Sequence, residues 1–141
     1  MNFFFDRCVP IKLCDIVKAA EGTRQTIAYH DDHFPKETAD TVWLRAVGKW
    51  AKPPVVISGD SRILVRPDEA NALKEQNLTF FCLEKGWMQS DFWEVAWRFL
   101  KVWPEVVQIA NRTSQPEIFK VSFGKSLKIE PYSVTKNLRQ R

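Results

Sequence analysis

The chain lacks the signatures by which the commonest catalytic sites announce themselves. Its 141 residues contain no Walker A sequence and no GxGxxG, so no glycine-rich loop is set to cradle phosphates. GxSxG is missing too, which excludes the strained serine turn of the hydrolases that use it. The three cysteines, Cys8, Cys14 and Cys82, are odd in number and form no CxxC, which argues against a disulfide framework and a zinc site. All three sit among apolar residues, where a reduced thiol behaves as a small hydrophobe. The two histidines, His30 and His33, flank Asp31 and Asp32 in HDDHF; that is too few for a zinc hydrolase and is the composition of a polar loop. No apolar stretch approaches the roughly 20 residues of a membrane span. The start, MNFFFDRCVP, has no basic leader before its short apolar run, so a cytoplasmic protein without a secretory signal is expected.

What is present is an ordinary globular composition, 45% hydrophobic and 27% charged, of a length suited to one domain with a proper core. The net charge of +4 is unevenly placed. Residues 1–110 carry 14 Lys and Arg against 15 Asp and Glu, whereas residues 111–141 carry 7 against 2. A basic end of this kind holds phosphates or simply keeps a tail solvated.

Periodicity along the chain alternates between strand and helix. Phe3–Asp6 reads as a short buried strand, and Pro10 opens a helix that Gly22 ends. Thr26–Tyr29 is a second strand. Ala39, Trp43, Ala46, Val47 and Trp50 mark a helix from Lys36 to about Trp50, and Pro53-Pro54 stops it before a strand at Val55–Ser58. Pro67 opens another helix, and Leu78–Leu83 is a fourth strand. A β-α-β-α-β-α-β order predicts a mainly parallel sheet with helices on both faces.

A helix from about Ser90 to Val102 follows, its apolar positions Phe92, Val95, Ala96, Phe99, Leu100 and Trp103 widened by Trp93 and Trp97. Periodic aromatics of this density are expected in the core, and Pro104 is expected to break or restart the helix. IFKVSF-GK-SLKI then predicts a hairpin with Gly124 opening a type II′ turn. The division expected is a domain over 1–110, a hairpin over 111–130 and a mobile basic tail over 131–141.

Two of the strands end on an aspartate, FFFD at Asp6 and VVISGD at Asp60. In an open α/β sheet the ligand crevice lies beyond the carboxyl ends of the strands. Asp40 precedes Trp43, Leu44 and Val47 by three, four and seven residues, which places it on the apolar face of its helix, toward the sheet. Glu37, one turn earlier, is the reserve candidate. Any one such acid is adequately explained as a turn or cap residue. Three facing one cleft repel unless they share a proton or a hard cation, and an all-carboxylate set suits Mg²⁺ or Mn²⁺. On this reading Asp60→Asn costs the metal-free protein no stability.

FFFD, ETADTVWL and VISGDSRI, in this order and spacing, resemble the PIN-domain ribonucleases. The resemblance covers residues 1 to about 110 and is closest to the toxin component of VapBC-type toxin–antitoxin pairs. It implies a PIN-like three-layer α/β fold, a Mg²⁺ or Mn²⁺ ion held by acids at the carboxyl ends of a parallel sheet, and cleavage of RNA. By motif, Asp6 matches the first-strand acid, Asp40 the helical acid and Asp60 the acid after the later strand, and these three are the catalytic and metal-binding candidates. Arg62 and Arg7 are the candidates for contact with substrate phosphates, with a surface-cation role as the plainer alternative.

The implied partners are an RNA substrate and a cognate antitoxin protein, with a homodimer left open. The fourth acid of the PIN pattern is missing, because Ser61, Arg62 and Ile63 follow Asp60; Asp31, Asp32 and Glu37 are its stand-ins. That gap supports the alternative of a catalytically inactive PIN-like module that binds RNA or regulates a partner. A phosphoacceptor signalling domain also carries strand-end aspartates, but it wants an acid pair beside the first strand, and Phe3–Phe5 leave none.

Overall fold

The computed structural model describes residues 1–132. Its strands are β1 (Asn2–Phe5), β2 (Thr26–Tyr29), β3 (Val55–Ser58), β4 (Phe80–Leu83), β5 (Ile118–Val121) and β6 (Ile129–Pro131). They form one sheet in the order β2-β1-β3-β4-β5-β6, in which β1 to β5 run parallel and β6 closes the far edge antiparallel to β5. The fold is therefore α/β, with the mainly parallel sheet that the alternating periodicity predicts and a C-terminal hairpin.

Short runs such as VVIS and FFCL become central parallel strands because such strands are buried on both faces and need apolar residues at every position. Strand alternation then divides the side chains between two cores. Phe3, Phe5, Val55 and Ile57 join α1 (Ile11–Glu21), α5 (Lys85–Gln89) and α6 (Phe92–Arg112) on one face. Phe4, Val56, Phe80 and Cys82 join α2 (Asp40–Gly48), α3 (Arg62–Val65) and α4 (Pro67–Glu75) on the other. Aromatic pairs tie the layers together: Phe4 stacks on Trp43 at 5.2 Å, and Phe3 meets Trp103 edge-on at 4.8 Å.

Besides the short helices α3 and α5, which periodicity does not predict, the structure departs from the sequence expectations in four places. First, α2 begins at Asp40, not Lys36, because a turn at Pro35 intervenes, closed by the Thr38 N–H and hydroxyl donating to the Pro35 carbonyl at 3.1 and 2.7 Å. Glu37 is thus an exposed turn residue and not a helical neighbour of Asp40. Second, α6 continues through Pro104 to Arg112. The carbonyl that Pro104 leaves without an N–H belongs to Leu100, and both residues are exposed, so water can take the place of the lost bond. Third, Trp93, Trp97 and Leu100 lie on the exposed side of α6, while Phe99 and Trp103 are core.

Fourth, the hairpin has a wider connection over residues 122–128. It pairs Val121 with Ile129, and Gly124 does not adopt the positive φ that a type II′ turn requires. Ser122 closes the loop instead, donating its N–H to the Lys128 carbonyl and accepting the Lys128 N–H at Oγ. Phe123 turns inward against Trp87 at 4.9 Å, which uses the residues a tight turn would need. The hairpin is continuous with the sheet, since β5 pairs with β4 and α6 runs past residue 110. The tail predicted over 131–141 lies outside the described residues from 133 onward. No helix among the described residues is long and apolar enough to cross a membrane.

Candidate active site

The strand order reverses between β1 and β3, and in doubly wound sheets that switch point opens the crevice at the carboxyl ends. Asp6 leaves β1 there, its N–H still donating to the Ile57 carbonyl at 2.9 Å. Alternation turns Asp6 and Ser58 to the Phe4 and Val56 side, the face that α2 covers. Asp6 is only 4% exposed. Its Oδ1 accepts the Arg7 N–H at 2.6 Å, and its Oδ2 accepts the Ser58 hydroxyl at 2.8 Å and the Cys8 thiol at 3.3 Å. Burial pushes its pKa above the ordinary carboxylate value; the bonds from Ser58 and Cys8 pull it back in part, and the charge of Asp40 pushes it further up. Cys8 is exposed as a residue, but its Sγ is turned inward and also accepts the Gly59 N–H at 3.1 Å. Burial, then the Asp6 charge, pushes that thiol up to about 12, so it stays neutral and donates.

Asp40 is half-buried at the first residue of α2, where a carboxylate suits the positive helix end. Its Oδ1 accepts the Trp43 indole N–H at 2.8 Å. Trp43 is fully buried and stacks on Phe4, two residues before Asp6, so this aromatic pair holds the start of α2 against β1.

Asp60 emerges two residues after β3. Its N–H donates to Ser58 Oγ at 3.0 Å, so one hydroxyl links the Asp60 backbone to the Asp6 carboxylate. The Asp60 carboxylate, however, holds Arg62: Oδ1 accepts its N–H at 3.0 Å and its Nε at 2.8 Å, and Oδ2 accepts Nη2 at 3.0 Å. Burial alone would raise the pKa of Asp60, but the bonds and charge of Arg62, with Arg66 behind it, outweigh that and hold it below the ordinary value. The Arg62 side chain is 64% exposed, so the pair is screened by water and open to exchange.

Arg7 is exposed, and its Nε lies 3.2 Å from Asp31 Oδ1, which buried His30 also holds through Nδ1 at 2.9 Å. Of the stand-ins for a fourth acid, Asp31 is therefore engaged with Arg7. Asp32 and Glu37 are exposed.

The site thus sets Asp6 within reach of the Asp40 charge and has Asp60 two residues beyond the neighbouring strand, with its carboxylate turned to Arg62. Among the described residues, no three His, Cys, Asp or Glu side chains are gathered where one ion would touch them all. Two carboxylates nonetheless suit Mg²⁺, which keeps several waters and takes one or two protein carboxylates together with substrate phosphate. The buried Asp6 beside Asp40 is a donor set that a hard cation would relieve of its mutual repulsion. Sequence reasoning overlooks Ser58 and the indole N–H of Trp43. Ser58 was signalled by its place as the last residue of a strand, with the parity that puts it beside Asp6.

A parallel sheet with a buried acid at its switch point and a helical acid beside it defines a class of α/β proteins whose chemistry sits at the strand ends. The family model described as PIN like domain matches residues 1–85, the stretch that holds all three acids, and the chain belongs to the PIN-like domain family. PIN-like domains are commonly nucleases. No curated protein and no solved structure matches the chain.

Proposed function

We propose that this PIN-like protein is a Mg²⁺- or Mn²⁺-dependent endoribonuclease of the cytoplasm, and the toxin of a toxin–antitoxin pair. What supports the nuclease reading is the buried Asp6 at the β1/β3 switch point, near enough to Asp40 to feel its charge. These two carboxylates would hold the cation. Its chemistry when bound is to make a water acidic enough to attack a phosphodiester and to stabilise the leaving oxygen. Ser58 and the Arg7 N–H fix the Asp6 carboxylate, and Trp43 fixes that of Asp40. Arg62 offers its fork to Asp60 in the free protein, and an RNA phosphate is an equivalent partner, so substrate would draw Arg62 away and release Asp60 to the site. Arg7 is the second phosphate contact. The basic end, residues 111–141, adds affinity for RNA without chemistry. The toxin role, and with it an antitoxin partner, rests on the sequence resemblance.

A second reading, an inactive PIN-like module that binds RNA or regulates a partner, is favoured by the Arg62–Asp60 pair and the missing fourth acid. Incubating the purified protein with a mixed RNA pool separates the two readings. The nuclease cuts with Mg²⁺ or Mn²⁺ and stops with EDTA. RNA retained but intact under every metal condition identifies the inactive module.

A further inference from the structure

Two arginines follow the strand ends at the site, Arg62 after β3 and Arg7 after β1, and the structure holds them differently. Arg62 gives its fork to Asp60, with Nε on one carboxylate oxygen and Nη2 on the other. Arg7 turns only Nε to its acid, 3.2 Å from Asp31 Oδ1. Among the described residues no other acceptor holds its guanidinium, and the side chain is 46% exposed, so both terminal nitrogens are open to a ligand. A phosphate takes such a nitrogen pair bidentately.

Arg7 is fixed by three consecutive residues at the end of β2, the other neighbour of β1. The buried Tyr29 hydroxyl donates to the Arg7 and Val9 carbonyls at 3.1 and 2.8 Å, which sets the backbone. Asp31 sets the side chain and is itself set by His30, whose Nδ1 lies 2.9 Å from the same Oδ1. His30 is buried among the rings of Phe4, Phe34 and Trp43, at 6.2, 5.6 and 5.9 Å. An isolated surface ion pair imposes little order. One whose acid is bonded to a buried ring has a fixed direction.

We propose that Asp31 is a positioning residue: with His30 behind it, it holds Arg7 as a ready-made clamp for an RNA phosphate on the β2 side of the site, and it does not replace the missing fourth acid. This rests on the nuclease reading above. RNA meets Arg7 without first displacing an acid from its fork, which Arg62 requires.

The sign of a charge effect separates this role from that of a surface acid. Deleting an acid beside the path of phosphates should by charge alone tighten RNA binding. Deleting the holder of Arg7 should weaken it.

Retention of labelled single-stranded RNA in EDTA, which keeps the RNA whole, measures this in wild type, Arg7→Ala, Asp31→Ala and the double variant. Arg7→Ala should weaken binding about tenfold and flatten the logarithmic salt slope by about 0.7, one phosphate contact on a single strand. Asp31→Ala should weaken binding about fivefold beside an intact Arg7, and leave it unchanged or tighter in Arg7→Ala. Asp31→Asn keeps the Oδ1 acceptor and should restore most of the affinity. Asp31→Ala should also keep the rise in melting temperature with Mn²⁺, which a metal ligand would lose. Three results overturn the proposal: equal or tighter RNA binding by Asp31→Ala beside an intact Arg7, an equal loss with and without Arg7, or loss of a Mn²⁺ shift that the wild type shows. RNA ignored by the wild type would overturn the RNA reading itself, and the clamp with it.

Discussion

Asp6→Asn is expected to lower RNA cleavage by ~10³-fold or more, the scale on which loss of one charge-stabilising group registers, while leaving the metal-free protein at least as stable at pH 7. The two effects share one cause. Burial and the neighbouring Asp40 make the ionised Asp6 carboxylate costly, so its pKa is raised in the folded state. Stability from such a group is fully present below the unfolded value of 3.8 and is lost as pH rises through the folded value. At pH 7 the charged form is a burden that neutral asparagine does not carry. The amide also keeps an acceptor for the Arg7 N–H and gives Ser58 Oγ a donor in place of a carboxylate. Asp60 has the opposite sign: its pKa is lowered, so its contribution is present above 3.8 and fades as pH falls through the folded value. Melts of the wild type, Asp6→Asn and Asp60→Asn across pH in EDTA check this. A purely structural Asp6 would instead leave the asparagine variant destabilised at pH 7.

Trp43→Ala should cost about 3–5 kcal/mol, as large buried aromatics do on truncation, out of a total that for domains is roughly 5–15 kcal/mol. Trp43 is fully buried, stacks on Phe4 and meets His30 edge-on at 5.9 Å, so its removal opens a cavity under the α2 layer. Trp43→Phe keeps most of that packing and loses the N–H that fixes Asp40 Oδ1. It should melt near the wild type yet cleave RNA more slowly. Urea unfolding of both variants with parallel cleavage assays separates the packing of Trp43 from its positioning of Asp40. Equal activity of Trp43→Phe and wild type would show that the indole bond has no bearing on the site.

The strand register at the site was legible because parallel central strands leave little ambiguity. FFF and VVI are apolar throughout, and the aspartates that follow them fall at the carboxyl edge of neighbouring strands. Asp40 was legible from helical spacing, since Trp43, Leu44 and Val47 are all core. The state of Asp60 was not. Spacing places its backbone, but whether the carboxylate turns to Asp6 or to Arg62 depends on a guanidinium two residues away. The expectation that Asp60→Asn costs no stability assumed repelling acids around it, whereas the structure gives Asp60 a paired cation. The exposed side of α6 was misread for another reason: Trp93, Trp97 and Leu100 extend the apolar arc beyond what the sheet covers, and periodicity cannot tell a core face from a second apolar seam. The loop at 122–128 was set by Phe123 packing on Trp87, a tertiary contact that outweighs the local turn preference of Gly124-Lys125.

Thermal melts with EDTA and with Mn²⁺, on wild type, Asp6→Asn, Asp40→Asn and Asp60→Asn, test the two-acid site most directly, because an ion that binds only the folded state raises its melting temperature. Mn²⁺ is predicted to stabilise the wild type, to lose that effect in Asp6→Asn and Asp40→Asn, and to retain most of it in Asp60→Asn. A wild type unmoved by Mn²⁺, or a shift that survives in both Asp6→Asn and Asp40→Asn, would contradict the assignment of the cation to this pair.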